Sequence, residues 1–479
     1  MHERPVLILT SVCLTAFGTQ TLAAEGDAAR IAEVIRPAEA FEQSEPYEAL
    51  PGGAATLRNA ADRDAFSHPS ANMSFERELD FLLGKALFEK IWVSAPSSTL
   101  ASDGLGPLYD ARSCQACHIR DGRGQPPDQA GSVSMVVRLA QPGGEPDPTY
   151  GRQLQDLALP GHAAETQISV SYREIPVHLA GGETVFLQQP DYEFEALAYG
   201  PLASETVFSA RIAPPMIGLG LLEAVPEENI LALADEDDRD GDGISGRANM
   251  VWSRDGGKPM LGRFGWKAGE ATIRDQSAAA FANDIGISSP LFPDGWGDCS
   301  AAQATCRAAP HGDGDIRETE IDGAGLELVS FYSRNLAVPE RRLPDDPEVL
   351  RGKQVFYETG CSGCHVPKHV TARLPDQPEQ NFQLIWPYTD LLLHDMGDGL
   401  ADDLPEGRAN GREWRTPPLW GIGLTAEVSG HSRFLHDGRA RSLLEAVLWH
   451  GGEAEPQQAA VIAMTPADRA VLIRFLESL

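Results

Sequence analysis

The sequence predicts a mainly α-helical fold made of two related modules, the first enlarged by a β-containing insertion. Apolar residues recur at helical spacing over Phe75–Phe88, which is typical of an amphipathic helix. Within that helix, the segment Gly84–Phe88 returns later in the chain as Gly352–Phe356. Between residues 132 and 197 the pattern changes to alternation, which indicates strands. The repeated segment and the single alternating region together predict two helical modules that differ by one insertion.

A five-residue motif, C-x-x-C-H, follows each copy of the repeated segment. Two thiols at this spacing can add across the vinyl groups of a haem, and the next imidazole then ligates the iron. Structural zinc is the main alternative, but the two motifs lie far apart in the chain and zinc ligands cluster more tightly. Plain disulfides would not need the histidine. The motifs therefore predict two covalently bound haem c groups, held by Cys114, Cys117, His118, Cys361, Cys364 and His365.

Composition and charge restrict the partners. The formal net charge of −31 over 479 residues argues against nucleic acid and against anionic membrane surfaces. The plain interpretation is a solubilising acidic surface. The alternative is that this charge steers a small basic redox protein, serving as electron donor or acceptor, towards the molecule.

The first 24 residues have the layout of a secretory signal. Arg4 precedes an apolar run, Val6–Phe17, and the small residues of Leu22–Ala24 supply a cleavage site. The run is too short to span a bilayer, and no later stretch is long enough, so we expect no transmembrane segment. The sequence thus predicts an exported, periplasmic protein. In that oxidising compartment Cys299 and Cys306 are expected to form a local disulfide.

The predicted organisation has four parts. A signal peptide (1–24) and an N-terminal extension (25–70) precede an N-terminal haem c module (71–340) and a C-terminal haem c module (341–479). A second internal echo supports the two modules, because Arg211–Gly220 resembles Arg415–Gly423 and keeps its order after the motif. The strands of the insertion are expected at Ser132–Val137, Gln167–Tyr172, Glu183–Leu187 and Tyr192–Phe194.

An acidic loop lies late in the first module. Asp238, Asp240 and Asp242 alternate along the chain and are followed by Gly243, as in the first half of a calcium-binding loop. The twelfth position holds Asn249 in place of the usual glutamate, so further ligands would have to come from elsewhere. The pattern predicts a calcium-type loop, with a solvated acidic turn as the alternative.

Several further segments resemble one known family. They are Gly104–Tyr109, Gly262–Ala268, Leu391–Gly397 and Phe434–Arg439. The chain resembles the bacterial di-haem c-type oxidoreductases often labelled thiol oxidoreductases. These are related to the di-haem cytochrome c peroxidases and to the di-haem enzyme that matures methylamine dehydrogenase.

That resemblance implies a division of labour between the two haems. One six-coordinate haem would accept electrons, and the other, with an open iron face, would react with peroxide or with an oxidisable small-molecule or protein substrate. The alternative is a non-catalytic electron-transfer cytochrome in which both irons are six-coordinate.

The resemblance also implies the second axial ligand of the C-terminal haem. In the peroxidases a distal methionine follows the histidine of a His-Asp-Gly motif by fourteen residues, and the same count from His436 ends at His450. His450 would then face His365 across a low-potential haem. Met396 is the rival ligand, and a helix cap is the alternative role of His450. His436 is expected to be structural.

The N-terminal site follows from the same resemblance. In the peroxidases an aromatic residue between the haems precedes a glutamine by ten positions, and an acid–apolar–glycine triplet comes shortly afterwards. Here Trp266 precedes Gln276 by ten, and Asp284 opens such a triplet. Asp284 would exchange protons with peroxide, although aspartate reaches less far than the usual glutamate. Core packing and a helix cap or surface acid are the plainer roles of Trp266 and Asp284. Met216 and Glu223 are the other candidate distal groups.

Overall fold

The computed structural model describes residues 26–127, 134–312 and 318–479. The expected signal peptide and the first two residues of the expected strand Ser132–Val137 lie outside the described residues. Residues 1–39 and 40–479 are two units, and in the first of them residues 26–34 are helical. Within the described ranges no helix has the length and apolar character needed to cross a membrane. Everything below concerns the unit of residues 40–479.

Helices occur along the whole of this unit, and many are short. They are α1 (Phe75–Phe88), α2 (Cys114–Cys117), α3 (Leu219–Glu223), α4 (Glu227–Leu231), α5 (Ile273–Ala280), α6 (Ala304–Arg307), α7 (Gly323–Arg334), α8 (Pro347–Glu358), α9 (Thr425–Ser429), α10 (Leu443–Leu448), α11 (Glu455–Ala463) and α12 (Pro466–Ser478). A π-helical turn, Phe281–Ile285, continues α5. Single 3₁₀ turns lie at Gly53–Ala55, Ile119–Asp121, Cys361–Gly363, Ile422–Leu424 and Gly452–Ala454.

The strands form several small antiparallel sheets. They are β1 (Leu108–Tyr109), β2 (Met135–Ala140), β3 (Gln153–Leu154), β4 (Leu157–Ala158), β5 (Gln167–His178), β6 (Thr184–Glu195), β7 (Val207–Ile212), β8 (Met250–Ser253), β9 (Lys258–Leu261), β10 (His369–Val370), β11 (Leu384–Ile385), β12 (Leu393–Asp395) and β13 (Glu413–Arg415). The order β3-β2-β7 makes a three-stranded sheet, and the others pair as β1-β4, β5-β6, β8-β9, β10-β11 and β12-β13.

The expected mainly α-helical class is wrong. Helix accounts for 28% of the structure and strand for 17%, so the fold is mixed. Part of the excess strand lies in the longer β5 and β6 of the insertion, and part lies outside it, in the pairs β8-β9, β10-β11 and β12-β13. The strands of these three pairs are two to four residues long. They are too short to show the alternation by which strands are recognised in a sequence.

The repeated glycines lie where two helices cross closely. Helix α1 spans Phe75–Phe88 as predicted and packs on α7, while α8 packs on α12. A Cβ atom on Gly84 would lie 2.1 Å from the carbonyl oxygen of Leu328, and one on Gly352 would lie 2.0 Å from that of Val471. Only glycine permits this approach of the two backbones. The repeated sequence segment therefore corresponds to two equivalent helix pairs. The expected boundary between the modules at residue 340 stays a prediction.

The repeated phenylalanines connect each helix pair to its histidine motif. Phe88 lies 5.2 Å from the ring of Tyr332 on the partner helix and 6.1 Å from the imidazole of His118. Phe356 has the same arrangement in the second pair, 5.2 Å from Phe475 and 6.4 Å from the second motif's histidine. Each aromatic contact thus positions one candidate haem ligand against a helix–helix interface.

Strands are present in the region of the expected β insertion, but their bounds differ from the expected ones. The first expected strand is displaced to Met135–Ala140, and Gln167–Tyr172 extends to the whole of β5. The two short strands expected after it are one continuous strand, β6. Pro190 lies inside β6, opposite Tyr172, which is compatible with a ribbon of only two strands.

Candidate functional site

Two cavities lie beside the two C-x-x-C-H motifs. The cavity beside the second motif is called the C-terminal cavity, and the one beside the first motif is called the N-terminal cavity. The walls of the C-terminal cavity are mainly apolar and aromatic, as expected for a site that takes a large planar cofactor. The four cysteines of the two motifs form no disulfide bond. The predicted residues that line the C-terminal cavity are Cys361, Cys364, His365, Met396, His436 and His450.

His365 and His450 are both held as neutral imidazoles. Nδ1 of His365 lies 2.9 Å from the carbonyl oxygen of Tyr388, and Nδ1 of His450 lies 2.8 Å from that of Ala446. A carbonyl can only accept, so each Nδ1 carries the proton and each Nε2 keeps its lone pair. Burial lowers the pKa of both rings, that of His365 to about 4. The structure thus brings two imidazoles with available Nε2 atoms to one cavity.

Met396 and His436 have different surroundings in the same cavity. Met396 also lines it, so the identity of the second ligand stays a prediction. The His436 ring stacks on Trp414 with centroids 3.8 Å apart and planes 10° from parallel. Burial lowers the pKa of His436 to about 3, which keeps this ring neutral. The structural role expected for His436 stays a prediction.

The N-terminal cavity contains the first motif. Cys114, Cys117 and His118 line it. Nδ1 of His118 lies 2.9 Å from the carbonyl oxygen of Pro214, so its Nε2 also keeps the lone pair. Burial lowers the pKa of His118 to about 4 and raises that of Cys114 to about 12. Both motifs therefore present the same donor set, two neutral thiols and one oriented neutral imidazole.

The residues predicted for peroxide chemistry meet in this cavity. Gln276 on α5, Asp284 on the π turn and Met216 all line it. Asp284 Oδ1 accepts a hydrogen bond from Gln153 Nε2 at 2.8 Å, and burial raises the pKa of Asp284. The position inside the π turn, facing the cavity, does not match the helix cap or surface acid that was its alternative.

Glu223 does not join this group. Its carboxylate accepts from the backbone N–H of Ile273 at 2.8 Å and from Arg334 Nε at 2.9 Å. It therefore anchors the N-terminus of α5 to α7 and does not line the cavity. This leaves Met216 as the rival distal group.

Trp266 lies at the junction of the two cavities and lines both of them. Its Nε1 donates to the carbonyl oxygen of Ile212 at 2.8 Å, and the guanidinium of Arg123 lies 5.4 Å from its ring. The ring of His436 lies 6.5 Å from the ring of Trp266. The indole is 6% exposed. Trp266 is therefore packed in the core and also borders both cavities.

Comparison with known proteins decides the family. The family described as "Di-haem oxidoreductase, putative peroxidase" matches residues 47–143 and 152–479. The chain belongs to the di-haem oxidoreductase family. The resemblance seen in the sequence is thereby confirmed, and haem is the cofactor type that the family implies.

The other comparisons add little. No curated protein matches this di-haem oxidoreductase significantly. Among solved structures, hydrazine synthase of Kuenenia stuttgartiensis pressurised with xenon is similar at 13% identity and a TM-score of 0.29. The match covers 86% of this chain and 94% of that one.

Three buried arginines of the oxidoreductase fit a cofactor with carboxylate groups. Arg123, Arg263 and Arg415 border the cavities and are 6–8% exposed. Across the described residues, none of the three lies within ion-pair distance of a carboxylate, and they donate to backbone carbonyl oxygens. Burial lowers the pKa of Arg123 and Arg415 to about 10. Buried cations require anionic partners, and haem propionates would supply them at these walls.

The acidic loop of the oxidoreductase brings its three predicted carboxylates together. Asp238, Asp240 and Asp242 are exposed and have oxygen atoms within 4.8 Å of one another. Asp238 and Asp242 also accept hydrogen bonds from the backbone N–H groups of Gly243 and Ile244. The geometry is that of a local turn, and calcium binding stays a prediction.

Sequence reasoning missed a buried charge cluster next to the second motif. The imidazole of His394 lies 2.7 Å from carboxylate oxygens of both Asp390 and Glu453, one at each ring nitrogen. Both nitrogens must donate, so His394 is an imidazolium. Although burial opposes the charge, the two carboxylates raise the pKa of His394 well above its usual value. Its Nδ1 is also 3.7 Å from Cys364 Sγ. The only sequence signal was the motif Leu391–Gly397 that contains it.

Proposed function

We propose that this chain is an exported di-haem c-type oxidoreductase that reduces peroxide at its N-terminal cavity and receives electrons at its C-terminal cavity. The observation that supports this proposal is that the two cavities differ in the number of histidines that could ligate a haem iron. In the described part of the chain, His365 and His450 both line the C-terminal cavity, whereas His118 is the single histidine that lines the N-terminal one. Two imidazoles would close one haem, and one imidazole leaves the other open to a substrate.

The proposed chemistry assigns distinct roles to the residues of the N-terminal cavity. Haem, when bound, supplies an iron that accepts and donates electrons one at a time. Reduction of peroxide to two waters consumes two electrons and two protons, so the cavity needs a group that holds and delivers protons. Asp284 is that group, because burial raises its pKa and favours the protonated form. Gln276 orients the substrate by hydrogen bonding.

The remaining parts of the proposal concern electrons and cofactors. Trp266 would carry electrons between the two sites, since it lines both cavities. A small redox protein would exchange electrons at the C-terminal site. Haem would be attached covalently through the two motifs, whose histidines are each oriented by a backbone carbonyl. A calcium ion at Asp238, Asp240 and Asp242 would complete the cofactor set.

Spectroscopy combined with peroxide titration tests the proposal. The ferric protein is expected to show one low-spin and one high-spin haem, and the reduced protein to be reoxidised by peroxide. Asp284→Ala is expected to lower the rate of peroxide reduction by roughly 10²-fold or more, the usual scale of a lost proton donor. The matched control is Asp294→Ala, an exposed acid ten residues later. Unchanged reactivity of Asp284→Ala would contradict the role of this carboxyl.

The second candidate function is a non-catalytic di-haem electron-transfer cytochrome. Met216 favours it, because the side chain lines the N-terminal cavity and a thioether ligand there would close the second haem. Two low-spin haems at every redox level, with Met216→Ala converting one to high spin, would establish this alternative and exclude the peroxidase.

A further inference from the structure

A chain of carboxyl groups extends away from the N-terminal cavity behind Asp284. Gln153 Nε2 donates to Asp284 Oδ1 at 2.8 Å and to Asp110 Oδ2 at 2.5 Å, so one amide group joins two carboxyls. On the far side, the backbone N–H of Asp156 donates to Asp110 Oδ1 at 3.4 Å. The backbone carbonyl of Asp284 also accepts from the N–H groups of Asp110 and Ala111 at 2.9 and 3.0 Å. These bonds hold the carboxyl groups in one series.

The middle of the series is more buried than its two ends. Asp284 lines the cavity, Asp110 is 9% exposed, Gln153 is fully buried, and Asp156 is half-buried. Burial, followed by the charges of Asp156 and Asp284, raises the pKa of Asp110 well above its usual value. Burial also raises the pKa of Asp156 to about 6. Carboxyls packed this closely cannot all be ionised, so the series retains a proton at neutral pH.

The amide nitrogen of Gln153 is the group that joins Asp110 and Asp284. Its Nε2 donates to both carboxyls, whereas its buried Oε1 has no hydrogen-bond partner among the described residues. The amide therefore fixes the positions of the two carboxyls and carries no proton itself.

Other charged groups face the cluster and leave the series intact. Burial raises the pKa of Asp284, and the hydrogen bond from Gln153 and the charge of Arg138 only partly oppose that rise. Asp298 accepts from the backbone N–H groups of Arg152 and Gln153 at 2.5 and 3.0 Å, and burial raises its pKa to about 6. Asp298 thus fixes the strand that carries Gln153.

We propose that Asp156, Asp110 and Asp284 form the route by which protons enter the N-terminal cavity, with Gln153 as the positioning residue that joins the last two. The inference rests on the proposed peroxide reduction, whose two protons must cross a buried wall. In each transfer a proton leaves the carboxyl oxygen of one aspartic acid and binds the next carboxylate by way of a water molecule, while the Gln153 amide and the backbone N–H of Asp156 hold the carboxyls in place. Asp156 then regains a proton from solvent, and no electron moves in these steps.

Asp110→Asn tests the route because it keeps the size and the acceptor oxygen of the side chain but cannot carry the proton. Turnover with peroxide is expected to fall by at least roughly tenfold, with a larger solvent isotope effect and a shifted pH profile. Asp110→Glu should restore most of the rate, because it restores the acid. Asp156→Asn, at a half-buried position that tolerates change, should act in the same direction as Asp110→Asn.

An infrared readout makes the test independent of turnover. The wild type should show the C=O stretch of a protonated carboxylic acid at neutral pH, and Asp110→Asn should weaken it. Wild type without peroxide turnover would overturn the proposed function and the route with it. Normal wild-type turnover with unchanged rate, isotope effect and pH profile in both Asp110→Asn and Asp156→Asn would overturn the route alone.

Discussion

At the scale of the residue, His394 is the clearest case of a group whose role depends on charge. It is 2% exposed and lies between two carboxylates, so the cluster carries a single net negative charge as long as the imidazolium is present. His394→Gln would leave Asp390 and Glu453 facing each other without a cation. Breaking a buried pair in this way typically costs about 3–5 kcal/mol of unfolding free energy.

The urea midpoint of the holoprotein at pH 7 measures this cost, with His68→Gln as the matched control at an exposed histidine. We expect a clearly lower midpoint for His394→Gln and an unchanged one for His68→Gln. Equal midpoints for the two variants would show that the cluster contributes nothing to stability.

A site residue could be predicted from the sequence where its signal is a contiguous motif. The haem-attachment motif is contiguous in sequence, so it could be predicted at Cys361, Cys364 and His365. Gln153 and Asp110 could not be predicted, because their contact joins positions 43 residues apart and follows from the folding of β3 against the segment before the first motif. Neither residue type nor spacing signals such a contact.

At the scale of the element, the two repeated glycines make the sharpest prediction. Alanine in a helix normally stabilises relative to glycine by about 1 kcal/mol. At Gly84 and Gly352 the added methyl would meet backbone oxygens at 2.1 and 2.0 Å, so the helices must separate. Overpacking of this kind costs about 1–3 kcal/mol and outweighs the helix preference.

Thermal unfolding of Gly84→Ala and Gly352→Ala should therefore show lower melting temperatures. Gly323→Ala is the control, because its new methyl would meet nothing closer than Pro290 at 4.0 Å. A melting temperature at or above that of the wild type in the two test variants would contradict the close crossing of the helices.

The elements also differ in how far sequence could predict them. Helix α1 was predicted to the residue because fourteen positions give a complete periodic pattern. The pair β12-β13, which carries His394 and Trp414 opposite each other, was not predicted. A strand of three residues is too short to show a periodic pattern. The pairing of the two strands depends on the conformation of the loop between them, which the sequence does not reveal.

At the scale of the whole molecule, the formal charge of −31 makes stability depend on pH, and buried acids add to this dependence. Glu165 is 1% exposed, and burial raises its pKa to about 8 from an ordinary value of 4.5. In the folded state it therefore binds a proton that the unfolded chain has released. The proton bound to Glu165 contributes its full amount to the unfolding free energy below pH 4.5. This contribution is lost as the pH rises from there through about 8.

Between pH 6.5 and 8 the unfolding free energy should fall by up to about 1.4 kcal/mol per pH unit from this one group. Glu165→Gln removes the titration and keeps an acceptor for the backbone N–H of Gln155. Relative to wild type, the variant should gain about 2 kcal/mol when urea denaturation at pH 9 is compared with pH 6.5. The exposed Glu205→Gln should show no such gain. A wild-type stability that rises over this range, or equal gains in both variants, would mean that Glu165 is already ionised in the folded protein.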